Sequence, residues 1–179
     1  MNSGRLRRAI DGLIAANFVI AGLALVAMLA HVVLDVVLRE IAVPFSGTLE
    51  IVSFWYMVAL VFLAIPVAQA QGHHIRVELF TAAVSPRVQR WIDVVVLVAC
   101  IGILIPFVWV ASEEAMRQTR RLAMVEAGTG TIPVWPTRWL VPFSMATTLL
   151  VCLFQIVELL GFPEKQVTRA PGTEEPFDV

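Results

Sequence analysis

Four apolar runs constrain this chain more than any other feature. They cover roughly residues 12–38, 48–70, 91–111 and 139–161. A bilayer's hydrocarbon core is about 30 Å thick and a helix rises about 1.5 Å per residue, so a spanning helix needs about 20 apolar residues. Each run meets that length. Little of the 179 residues remains for a soluble domain. Only 15% are charged, where soluble domains carry about a quarter. The expected fold class is therefore an all-α membrane protein with four transmembrane helices. A net charge of −1 gives no basic footprint for nucleic acid.

Arg5, Arg7 and Arg8 precede the first run, and Asp11 is placed to cap its start. A signal peptide cleaved after Ala27-Met28-Leu29-Ala30 is the rival reading. The run continues past that point through Val36, Val37 and Leu38, and this length favours an uncleaved span. His31, Asp35 and Arg39 are four apart, so they share one helix face. The link from Glu40 to Gly47 contains Pro44 and reads as a tight turn. Glu50 then opens the second run at the level of Arg39. An Arg39–Asp35 or Arg39–Glu50 pair that locks helices accounts for these charges better than a substrate site, because pairing is how membranes tolerate them.

The second run ends near Gly72. Gly72-His73-His74-Ile75-Arg76-Val77-Glu78-Leu79 is the main polar interruption and holds two of the three histidines. Ile75, Leu79, Ala82 and Ala83 share a face, which predicts a short interfacial helix between the second and third spans. Ser85-Pro86 reads as an N-cap followed by proline at the first helical position. No strong stop signal precedes Gly128, so the third helix is expected to run about 60 Å. Its segment Ser112 to Ala127, with Glu113, Glu114, Arg117, Arg120, Arg121 and Glu126, lies outside the hydrocarbon. Ile132-Pro133-Val134-Trp135-Pro136 is an extended link, since proline forbids regular helix. Trp135 and Trp139 anchor the fourth span at the interface. Residues 1–162 thus form the four-helix domain, and the polar, Pro-rich residues 163–179 a disordered cytoplasmic tail.

Four spans put both termini on one side. Arg5, Arg7, Arg8, Arg76, Arg87, Arg90, Lys165 and Arg169 lie there, against Arg39, Arg117, Arg120, Arg121 and Arg138 opposite. This excess favours cytoplasmic termini. The cluster at Arg117, Arg120 and Arg121 runs against the rule.

No nucleophile, acid–base pair or ligand set converges in the sequence, so neither an enzyme nor a bound cofactor or metal is expected. Haem ligation by His31 with His73 or His74 fails on depth, because the two positions lie about 25 Å apart at opposite faces. Adjacent His73 and His74 point apart on a helix and make a poor metal pair. Cys100 and Cys152 sit inside apolar runs as small fillers. A stand-alone transporter would show repeated broken helices at the midplane, and none is present. What remains is a partner or scaffold subunit. The alternatives are a cytochrome-like four-helix redox protein and a stand-alone membrane adaptor.

Three features carry a resemblance. Arg39 is followed by Pro44, Gly47 and Glu50; Gly72 to Leu79 fits a Gly-x-His-Ile-x-Val-acidic-Leu pattern; and Ile132-Pro133-Val134-Trp135-Pro136 precedes Pro142. In this order and frame, over roughly residues 10–162, the chain resembles the DctQ-like small membrane subunit of tripartite ATP-independent periplasmic (TRAP) transporters. It departs from the pattern where a Trp commonly precedes the Glu: Gly47-Thr48-Leu49 stands there, and Trp55 follows. The resemblance implies a bacterial inner-membrane scaffold without a site of its own. Its partners would be membrane lipids, a large multi-span subunit carrying the sodium and substrate sites, and a soluble periplasmic protein that delivers an organic acid. The candidate structural and partner-contact residues are Arg39, Glu50, Gly72, His74, Arg117, Arg120, Arg121, Pro133 and Trp135.

Overall fold

The structure is a computed structural model that describes residues 3–41, 46–71 and 85–161. Its elements in chain order are α1 (Ser3–Glu40), α2 (Thr48–Ile51), a π-helical turn (Val52–Tyr56), α3 (Met57–Ala70) and α4 (Pro86–Arg120). A hairpin of β1 (Met124–Ala127) and β2 (Gly130–Pro133) follows, then α5 (Trp135–Arg138) and α6 (Leu140–Gly161). Four stretches are long and apolar enough to cross a membrane: Arg7–Glu40, Thr48–Ala70, Val88–Arg120 and Trp135–Leu160. The four expected spans are therefore present. The expected interfacial helix, with Gly72 and His74, and the tail 163–179 lie outside the described residues.

Three boundaries differ from expectation. One is at Trp135-Pro136, expected to be extended; these residues open the short helix α5, because proline is tolerated in a helix's first turn. The first helix already runs from Ser3, so Asp11 lies within it rather than capping it. Leu6, Arg7, Arg8 and Ala9 are good helix formers and need no start signal there. The third helix stops at Arg120, before Gly128. Its end is a Schellman motif: Ala123 N–H donates to Gln118 C=O (3.0 Å), and Leu122 N–H to Thr119 C=O (3.1 Å). Leu122 takes the left-handed position at φ 47°, where glycine is usual. The start of α4 is as expected, with Ser85 extended (φ −62°, ψ 147°) and Pro86 at the first position.

The spans do not close into a ring. α1 packs on α3, α3 on α6, and α6 on α4, while α1 makes only slight contact with α6. The result is a row in the order α1, α3, α6, α4. Composition explains which helix sits inside it. Without a hydrophobic drive between helices in lipid, close approach falls to small and hydroxyl side chains. α6 buries Ser144, Met145, Thr147, Thr148, Val151 and Cys152. Thr147 and Thr148 satisfy their hydroxyls on their own helix, at Phe143 C=O and Ser144 C=O (both 2.9 Å). By contrast, α4 buries only Leu97 and Ala115 among its described side chains.

Candidate functional site

Two features are built tightly enough to matter: the seam between α3 and α6, and the cap that the hairpin places over the helix ends.

The seam begins at Pro66, inside α3. Proline has no amide hydrogen, so the carbonyl four residues earlier, on Phe62, loses its helical donor. The Ser144 hydroxyl of α6 donates to that carbonyl. Leu63, Pro66 and Ser144 are among the most deeply buried side chains of the protein. Toward the other end of α3, Gln69 donates through Nε2 to Gln155 Oε1 (2.8 Å), and Gln155 Nε2 donates to the Gln69 backbone carbonyl (3.0 Å). These two ties run down α3 and α6 in the same direction, so the two helices are parallel neighbours. Each tie satisfies a polar group that would be costly unpaired in hydrocarbon.

Asn17 of α1 is 1% exposed, and its amide nitrogen has no hydrogen-bond partner among the described residues. Arg7 at the start of α1 meets Glu158 near the end of α6 at 3.6 Å, which places these two helix ends at the same end of the row.

The cap lies at the opposite end. The hairpin pairs Val125 with Ile132 and Ala127 with Gly130. Its turn rests against the link that precedes α2. A Cβ added at Gly47 (φ +93°) would come 2.8 Å from Ala127 Cβ, and one at Gly128 (φ +58°) would collide with Ser46. Both glycines therefore serve close approach as well as backbone sign. The π turn carries Trp55, whose indole N–H donates to Pro133 C=O (3.0 Å). Tyr56 in the same turn meets His31 of α1 edge-on, with ring centroids 5.8 Å apart. Trp139 N–H donates to Thr119 Oγ1 (2.9 Å), tying the end of α4 to the turn after α5. The cap thus joins the first link, the hairpin and three helix ends.

Several candidate residues find places here. Arg39 pairs with Asp35 (2.9 Å), the nearer of its two expected partners. Glu50 sits half-buried in the first turn of α2 and makes no ion pair among the described residues. Arg117 pairs with Glu114, one turn back on α4. Arg120 and Arg121 are exposed at the end of α4, without an ion pair among the described residues. Pro133 supplies the carbonyl that Trp55 uses. Trp135 opens α5 half-buried. Gly72 and His74 lie outside the described residues. Sequence reasoning missed the work of Trp55, Ser144, Gln69 and Gln155. A proline inside an apolar run, with a serine and an amide on another run, is the signal that was available. Among the described residues, no three His, Cys, Asp or Glu side chains gather where they could hold a metal.

Comparison with curated proteins and with solved structures gave no match. The family model for the DctQ component of tripartite ATP-independent periplasmic transporters matches residues 28–161. The match runs from the middle of α1 to the end of α6, and so takes in the cap, the seam and all four spans in part or whole. The chain is a multi-pass membrane protein, and it belongs to the DctQ-component family of tripartite ATP-independent periplasmic transporters.

Proposed function

We propose that the chain is the small, non-catalytic permease subunit that holds a large membrane subunit in place during sodium-coupled uptake of an organic acid. On this reading it lies in the bacterial inner membrane with both termini in the cytoplasm. The hairpin cap and the charged end of α4 then face a periplasmic protein that delivers the substrate. The observation that carries the proposal is the contrast within the row. Its centre is fixed by hydrogen bonds between α3 and α6. Its outer helices leave large apolar side chains uncovered, among them Phe18, Leu23 and Leu29 on α1 and Val95, Ile103 and Trp109 on α4. A scaffold requires that combination: fixed geometry inside and apolar area outside for a second chain.

The deciding experiment is co-purification of the tagged chain from its native membranes. A large multi-span membrane protein is expected to accompany it. A chain recovered alone, or one with a Soret band in its visible spectrum, would overturn the proposal in favour of an adaptor or a cytochrome. Charge reversal at Arg117, Arg120 and Arg121 is expected to lower uptake while the large subunit stays bound. Unchanged uptake would remove the docking role of the α4 end. His74→Ala is expected to weaken assembly or transport without loss of any cofactor.

A further inference from the structure

Leu122, just past the end of α4, holds a left-handed backbone at φ 47°. That conformation is costly for any side chain and free for glycine. The leucine gains no burial in exchange, since 59% of its surface is exposed. Nor is it a frayed end. Leu122 N–H donates to Thr119 C=O, Ala123 N–H donates to Gln118 C=O, and Ala123 C=O accepts from Val134 N–H (3.0 Å). Thr119 is itself tied to Trp139. The fold therefore holds an apolar side chain in a strained pose, at a fixed place, on an open surface. Glycine would serve the turn better. Strain kept without a packing gain points to a use for the side chain.

The surroundings give this surface a sign. A hollow of about 580 Å³ beside the tip of α4 is lined by Arg117, Arg120 and Arg121, together with Glu113 and Glu114. Glu114 takes Arg117 and also accepts from Gln118. Arg120 and Arg121 are both exposed, and neither has an ion pair among the described residues. Glu113 lies seven residues before Arg120, about 10 Å back along the helix. Positive charge thus gathers at the tip, next to Leu122. Met116 and Met124 add apolar surface nearby, 43% and 59% exposed. An exposed apolar side chain with arginines at its border is the make-up of a protein docking surface. Lipid fits less well. It is fluid and meets an apolar side chain wherever that side chain stands, so it gives no reason for a strained backbone. A pocket on a folded partner is fixed and does.

We propose that Leu122 is the anchor by which this chain docks the soluble substrate-delivering protein, and that it enters an apolar notch bordered by Asp or Glu side chains. The inference rests on the subunit role proposed above and adds the contact that carries docking. Arg120 and Arg121 meet the acidic border, speeding approach and fixing orientation. Leu122 fills the notch. Because its backbone is already held, little freedom is lost on docking.

The test uses the whole membrane complex in nanodiscs and, as probe, the purified substrate-binding protein of the same transporter. Surface plasmon resonance follows docking. Leu122→Gly removes the side chain and relieves the backbone at once. It is expected to keep or raise the Tm of the complex, yet to weaken docking about tenfold or more. Leu122→Met keeps an apolar side chain of similar volume and should dock within about threefold of the wild type. With Arg120→Glu and Arg121→Glu together, association should slow at low salt and quicken as salt rises, the reverse of the wild type. Wild-type docking by Leu122→Gly would overturn the anchor and leave the scaffold role standing. A lower Tm alongside weakened docking would make Leu122 a packing residue and overturn the anchor as well. Unchanged docking by the double reversal, with less phosphatidylglycerol retained in native mass spectrometry, would assign the arginines to lipid headgroups instead. Absence of a large membrane subunit from the purified complex would sink the scaffold role, and this inference with it.

Discussion

α6 and α4 are packed side by side, both long enough to span a bilayer, yet they are solvated by different things. The membrane-crossing stretch of α4 is the more apolar of the two. Among its described side chains α4 nevertheless buries only Leu97 and Ala115, whereas α6 buries seven, three of them hydroxylic. In water the more apolar helix would take the centre. In lipid the rule turns over, because acyl chains solvate Leu, Val and Trp as well as protein does. What needs protein around it is the hydroxyl, the amide and the carbonyl bared by a proline. Position in the row therefore follows polar need rather than hydrophobicity.

The sharpest way to break this contrast is at Ser144. Ser144→Leu would overpack a fully buried position, at about 1–3 kcal/mol, and would leave Phe62 C=O without a donor, at about 1–3 kcal/mol more. The variant is expected to fail reversible refolding from denaturing micelles. Ser144→Ala removes only the bond and should cost at most about 2 kcal/mol, in line with hydrogen bonds measured inside bilayers. Equal stability of all three proteins would mean that the seam does not set the row.

A smaller effect is expected at the cap. Gly128→Ala forces a side chain into the left-handed region at roughly 1–2 kcal/mol, and its Cβ meets Ser46. The hairpin can relieve this by lifting off the link, so faster hydrogen exchange at Val125 and Ile132 is expected with the four spans intact. Exchange that stayed as slow as in the wild type would show that the close contact of the two turns is not what holds the cap.

The smallest expected effect is on α4. Trp109→Ala removes a large side chain that is 69% exposed. It should change the stability of the isolated chain by less than about 0.5 kcal/mol, as exposed positions usually do. A loss as large as that of Ser144→Ala would place Trp109 inside the folding core and dissolve the distinction between the two helices.

The spans were legible because bilayer thickness sets a length that a sequence either meets or does not. The Arg39–Asp35 pair was legible because i,i+4 spacing is local. The end of α4 was not. Its Schellman motif carries Leu122 where glycine gives the usual signal, so the helix seemed to run on to Gly128. The hairpin was only half legible. Gly128 and Pro133 announced a break and an extended stretch, but strands of four residues show no period long enough to read. Trp55 appeared in the sequence only as an aromatic displaced from its expected place. The π turn that carries it, and the carbonyl of Pro133 that it reaches 78 residues away, are properties of the folded chain. The seam is of the same kind. Pro66 and Ser144 are each ordinary in isolation, and their meaning comes from being adjacent.

The order of the row has a kinetic consequence. Ribosomes deliver the spans in the sequence α1, α3, α4, α6, but the packing order is α1, α3, α6, α4. When α4 enters the membrane, its only extensive helical neighbour has not yet been made. It must wait alone in lipid, with its surface open, until α6 arrives and threads between it and α3. The last helix synthesised is thus the one on which the two halves depend. A chain stalled or truncated before Leu140 would leave an α1–α3 pair and an α4 joined to it only through the hairpin cap, with no helix packed between them.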